Sequence, residues 1–142
     1  MTKRNIEASI KGSFSEIIVM LRLLQNGFNI TLSSPKIKKG IDFFVLNKKG
    51  KLFPIEVKSR PYPEEGDNIR IKKHKFYKNL IIILYSWVSG DMWILPSKIY
   101  GKYCNSWERS YGFDISKVKD EKEIQNCRVP EGYRVLRKLT SK

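Results

Sequence analysis

Two short apolar runs, Ile41 to Asn47 (IDFFVLN) and Leu52 to Ser59 (LFPIEVKS), stand on either side of Lys48-Lys49-Gly50. Their β-branched and aromatic content suits strands, and a three-residue connection ending in glycine suits a tight hairpin loop, whose last residue takes left-handed backbone. A hairpin closed there sets Asn47 opposite Lys51 and therefore Asp42 opposite Glu56. Facing residues of an antiparallel pair project to the same side, and Lys58, two residues on, joins them. Ile55 and Val57 then point into the core. A slip of one residue would bury Glu56 and Lys58 instead. Pro54 shares the face of Glu56 and has no N–H, so it requires an edge, a bulge or an unpaired ladder position.

Asp42, thirteen intervening residues and then Glu56-Val57-Lys58 thus put two carboxylates and an amine on one face. Two acids and a lysine are the minimum set that holds Mg²⁺ against a phosphodiester and steadies an attacking water. The competing account is a hairpin whose charges are merely solvated. Charge elsewhere bears on the choice: 28 Lys and Arg against 14 Asp and Glu give +14 on 142 residues, a balance expected to seek polyanions such as nucleic acid. The cations cluster at Lys36, Lys38 and Lys39, at Lys48, Lys49 and Lys51, and at Lys72, Lys73, Lys75 and Lys78, with aromatics interleaved in His74-Lys75-Phe76-Tyr77-Lys78. A heat-adapted, lysine-rich surface would give the same net charge, but it does not explain an acidic pocket within a basic face.

Upstream, Ile10, Phe14, Ile17, Leu21 and Leu24 recur at helical steps, predicting an amphipathic helix packed on a sheet through that stripe and stopped at Gly27. Glu16 lies beside the stripe. It serves either as a further carboxylate at the site or as the partner of Ser13 in a capping box, with Glu7 a weaker candidate for the first role.

The order of these parts resembles the PD-(D/E)XK nuclease superfamily: Gly12 and Glu16 on the first helix, Gly27 closing it, Gly40-Ile41-Asp42 opening a strand and Glu56-Val57-Lys58 in the next. Within it, the chain is most similar to archaeal Holliday junction resolvases, in which a loop bearing serine and lysine precedes the Gly-x-Asp. Ser33, Ser34, Lys38 and Lys39 stand in that place here. The resemblance covers residues 10 to 60, and Ile41 replaces the proline of the family name. It implies that Asp42, Glu56 and the Val57 carbonyl ligate Mg²⁺, or Mn²⁺ in its stead, that Lys58 orients or deprotonates water or stabilises the transition state, and that Glu16 binds metal directly or through water. Ser33, Lys36, Lys38, Lys39, Lys48, Lys49, Lys72, Lys73 and Lys75 would then contact DNA.

The remaining chain reads as scaffold. Pro61-Tyr62-Pro63 ends the strand and Glu64 to Asn68 form an exposed loop; Ile69 to Asn79 reads as a short basic helix. Leu80 to Ser86 (LIIILYS) is continuous enough for a strand covered on both faces, and Gly90-Asp91 turns it into Met92 to Leu95. Ser97 is placed to cap a short helix, Asp120 to Glu123 has capping-box spacing, and Arg128 to Lys142 reads as a frayed basic tail. Trp87, Trp93 and Trp107 read as core or interface anchors.

One α/β domain is expected, with a mixed central sheet of four to five strands flanked by helices, as in restriction endonucleases. No apolar stretch approaches a membrane span and no secretory segment leads the chain, so a cytoplasmic protein is expected. Cys104 and Cys127 read as reduced thiols, a disulfide in a heat-adapted host being the alternative. A single histidine makes a His-rich metal centre or a Ser-His-Asp triad a poor fit, and without a phosphate-cradling glycine loop there is no case for a nucleotide cofactor. The function expected is a Mg²⁺-dependent DNA endonuclease, structure-selective and resolvase-like. A restriction-like or intron-encoded endonuclease is the first alternative and a non-catalytic DNA-binding protein the second. Two strands must be cut by a chain with one site, which favours a homodimer, with the second hairpin or the C-terminal aromatics as its contact.

Overall fold

The computed structural model describes residues 3–32, 41–60 and 68–141. A long helix, α1 (Lys3–Gln25), leads through Gly27 (φ +86°) into β1 (Asn29–Leu32), β2 (Phe43–Leu46) and β3 (Leu52–Arg60). β4 (Asn68–Lys72) and a 3-10 turn at Lys73–Lys75 precede β5 (Ile81–Ser86) and β6 (Met92–Pro96). There follow α2 (Ser97–Tyr103), β7 (Asn105–Ser106), β8 (Ser110–Asp114), α3 (Ile115–Val118), α4 (Lys122–Cys127) and α5 (Glu131–Thr140). The main sheet is mixed and five-stranded, in the order β1-β2-β3-β5-β6, with β3 antiparallel to β2 and parallel to β5; a second sheet runs β4-β8-β7.

Every residue of β5 is buried, as a strand covered on both faces requires. Its Ile81, Ile83 and Tyr85 join Val19, Leu23, Phe43, Ile55, Tyr133 and Leu136 in one core beneath α1 and α5. Ile82 and Leu84 point the other way, into a second core with Ile69, Ile71, Tyr100, Phe113 and Ile124. The hairpin register is the expected one: Asn47 N–H donates to the Lys51 carbonyl (3.0 Å), Phe44 faces Pro54, and Gly50 adopts φ +82°. Pro54 needs no donor, because it lies just before Ile55, where the ladder to β5 begins.

Several expectations fail for identifiable reasons. The α1 stripe that was to meet the sheet is exposed: Phe14 is 61% accessible and Ile10, Ile17, Leu21 and Leu24 about half. The helix instead rests on Ser15, Val19 and Leu23, a narrow line that suffices because Phe28, Tyr133 and Leu136 complete the core there. Ser15 can be buried because its hydroxyl donates to the Lys11 carbonyl (2.7 Å). No capping box forms at Ser13, since the helix begins ten residues earlier at Lys3. The segment read as a basic helix from Ile69 is β4, where Ile69 and Ile71 alternate with exposed residues and pair with β8. The Arg128 to Lys142 tail is largely α5, whose Tyr133 and Leu136 are core residues. Ser97 does not cap α2 but donates its hydroxyl to the Lys78 carbonyl (2.6 Å), and α4 starts after Glu121 without a side-chain cap. Of the tryptophans, Trp93 is buried in the second core, whereas Trp107 lies over Gly112 with the Arg70 guanidinium 4.1 Å from its ring.

Candidate active site

The site is created where β2 stops and β3 continues. In β3, the N–H and C=O of Ile55 and Val57 face β2, and the Ile55 carbonyl accepts from Asp42 N–H (2.9 Å). Phe43 also takes Ile55 as its partner, so Asp42 sits as an extra residue that turns off the ladder. Its side chain then substitutes for the missing next rung: Asp42 Oδ2 accepts from Val57 N–H at 2.6 Å. The same strand geometry directs the Val57 carbonyl toward this edge.

On the adjoining face, Lys58 Nζ lies 3.0 Å from Glu56 Oε1. The face expected to be wet is partly covered by the second core, leaving Glu56 8% accessible. Its other oxygen, Oε2, is buried without a hydrogen-bond partner among the described residues. From α1, the Glu16 side chain hydrogen-bonds the Asp42 carboxyl. The four side chains singled out at 16, 42, 56 and 58 therefore form one connected group.

Burial raises the Asp42 carboxyl to a pKa of about 7, assisted by the Glu16 carboxyl and opposed by Val57 N–H and the Lys58 charge. Burial likewise raises Glu56, against the pull of Lys58 and Lys75 and with a further push from Asp42. Two carboxyl groups within hydrogen-bonding reach share a proton, and a cation between them removes the need for it.

Among the described residues no group of three or more His, Cys, Asp or Glu side chains forms a ready-made metal cage. Mg²⁺ does not require one: it is held by one or two carboxylates, retains waters and takes the rest of its shell from substrate phosphate. Asp42, the unpartnered Glu56 Oε2 and the Val57 carbonyl fit that donor set, with Glu16 close enough to Asp42 to act directly or through water.

The basic residues divide. Lys75, on the 3-10 turn after β4, is near enough to Glu56 for its charge to be felt, and Lys72 and Lys73 lie beside it in sequence, with Lys73 Nζ 5.2 Å over Tyr111. Lys48 and Lys49 are at the opposite end of the hairpin, five residues or about 17 Å along the strand from Asp42. There they line a cavity of about 400 Å³ with Asn26, Asn47 and Arg137. Ser33, Ser34, Lys36, Lys38, Lys39 and the Glu64 to Asp67 loop lie outside the described residues.

One contributor had no signal in the sequence. Tyr100 of α2 is fully buried, directs its hydroxyl at the Ile69 and Tyr111 carbonyls (3.2 and 2.8 Å) and stacks on Phe113. It thereby pins β4 to β8 beneath the turn carrying Lys75, close enough to Glu56 that their charges interact. Its sequence setting, SKIYGKY, carries no motif; only the packing reveals the role.

No protein-family profile matches the sequence, and no curated protein matches it. Solved structures do: the chain is similar to a bacterial homing endonuclease, I-Ssp6803I, with a TM-score of 0.60 over 90% of this chain and 91% of that one, at 13% identity. At that identity the likeness establishes a shared fold, a mixed five-stranded sheet flanked by helices, which spans both the hairpin and the C-terminal half.

Proposed function

We propose that the chain is a metal-dependent DNA endonuclease of PD-(D/E)XK type. The observation that carries this reading is the convergence of Asp42, Glu56 and Lys58: a salt bridge of 3.0 Å, a buried unpartnered carboxylate oxygen and an acid turned out of the ladder to meet them. A bound Mg²⁺ or Mn²⁺ would supply Lewis-acid activation of the scissile phosphate and its water. Asp42 and Glu56 would hold the ion, with the Val57 carbonyl completing the protein's share. Lys58, tethered by Glu56, positions the attacking water or its proton and offsets charge building on the phosphate. Lys72, Lys73 and Lys75 would contact the DNA backbone near the cut.

For the substrate, linear duplex read by sequence is the better-supported class. The structural neighbour is a homing endonuclease, and the likeness extends over the C-terminal half, whereas the resolvase-like features end near residue 60. Four-way junctions are the second reading, supported by the order of parts around the hairpin. Labelled junction, flap, single-stranded and linear duplex DNA incubated with Mg²⁺ or Mn²⁺ separate the two. Products on duplex, lost with Glu56→Ala and with Lys58→Ala, are expected. DNA binding without any metal-dependent product would instead identify a non-catalytic binder.

A further inference from the structure

The exposed face of α1 is the least expected surface of this molecule. Ile6, Ile10, Phe14, Ile17, Leu21 and Leu24 are 45–61% accessible and lie on the side of the helix opposite the buried Ser15, Val19 and Leu23. A helix apolar on both sides is one that is buried on both sides. From Ile10 onward the steps are four, three, four and three residues, the alternation of a helix-pairing seam.

We infer that α1 pairs with α1 of a second copy of this chain through this stripe. Charge selects the occupant. The chain carries +14, so most of its surface repels a copy of itself and attracts polyanions, but residues 12 to 21 contain no lysine or arginine and Glu16 as their one acid. The two cations flanking this segment are turned inward: Lys11 Nζ sits 5.1 Å over the Trp87 ring, and Arg22 donates to the Gly90 carbonyl (2.6 Å) and lies 5.5 Å over Tyr85. An uncharged aliphatic strip suits neither DNA nor an acidic protein. It suits an identical strip, as an isologous two-fold contact demands.

Area points the same way. The six side chains leave about 600 Å² open per copy, so a symmetric pair covers about 1,200 Å², the lower bound of specific interfaces and more than monomers usually expose in one patch. The surfaces first expected to pair are less suitable: Met92, Trp93 and Tyr133 are buried. This contact does not depend on the nuclease reading, since it uses none of the groups at Asp42, Glu56 or Lys58.

Sedimentation equilibrium of the full chain tests it. Wild type is expected at twice its 16.7 kDa mass, equally at 0.1 and 0.5 M NaCl, because an apolar contact between like-charged chains is not weakened by salt. Ile17→Glu with Leu21→Glu should weaken association by at least about a hundredfold and leave the circular dichroism spectrum intact, both sites being half-exposed. Val88→Glu, on an exposed residue outside the stripe, should remain double-mass. A wild-type monomer, a double variant that still associates, or equal loss in Val88→Glu overturns the inference. So does a monomer that pellets with phosphatidylcholine vesicles, which would make lipid the occupant.

Discussion

Asp42 has two tasks. Its carboxyl replaces a ladder acceptor for Val57 N–H, and it joins Glu16 and Glu56 in a poorly solvated corner. The unfolded chain ionises Asp42 near its model value of 3.8, whereas the folded chain holds the proton up to about 7. Between those values the unfolded state binds fewer protons, so metal-free stability falls as pH rises from 4 to 7 and then levels. Asp42→Asn keeps an oxygen for Val57 and removes the ionisation. Urea denaturation in EDTA should show it about 1–2 kcal/mol more stable than wild type at pH 8 and level with it at pH 4. Binding of a divalent cation should reverse the wild-type trend, since the ion takes the place of the proton. For chemistry, Glu56→Gln and Lys58→Ala are the cleaner substitutions. Each should lower the cleavage rate by at least about a hundredfold while DNA affinity, measured by anisotropy in Ca²⁺ or EDTA, changes little.

At the scale of elements, the hairpin was readable because several local rules agree on it: β-branched runs, a glycine-terminated loop and a polar face spaced by two. Gly50 at φ +82° is the residue that closes it, and Gly50→Ala should cost about 1 kcal/mol in chemical denaturation through backbone strain, because its Cβ would meet nothing. The C-terminal helix was unreadable because its contribution to the core, Tyr133 and Leu136, is dispersed among Arg134, Arg137 and Lys138, which dominate the composition of the segment. Leu136→Ala should therefore cost about 2–4 kcal/mol, a value that a frayed tail could not produce. For α1 the helix was legible but its buried side was not. The larger and more regular apolar stripe faces outward, while the sheet is met through a serine, a valine and a leucine. Periodicity reports that a face is apolar, not what covers it.

Across the whole molecule, the catalytic trio could be placed from spacing alone because all three residues belong to one hairpin, whose register is local. The second sheet, Tyr100 and the approach of Lys75 to Glu56 depend on contacts between segments far apart in the chain, and no short pattern encodes them. The excess of +14 acts at this scale too. The logarithm of DNA affinity should fall linearly with the logarithm of salt concentration, and Lys73→Ala with Lys75→Ala should reduce the magnitude of that slope by about 1–2. Lys48→Ala with Lys49→Ala, altering the distant end of the hairpin, is expected to leave the cleavage rate at saturating DNA unchanged.

That distant end is moored by one amide. Asn47 Oδ1 accepts from Lys49 and Lys51 N–H (3.0 and 2.8 Å), while its Nδ2 donates to the Thr140 carbonyl (3.0 Å). The final turn of the chain is thus a clasp on the same two strands that bear the acids at their other extremity. Trimming the protein by only three residues would release the clasp, and the slack would travel along the strands toward the metal ligands.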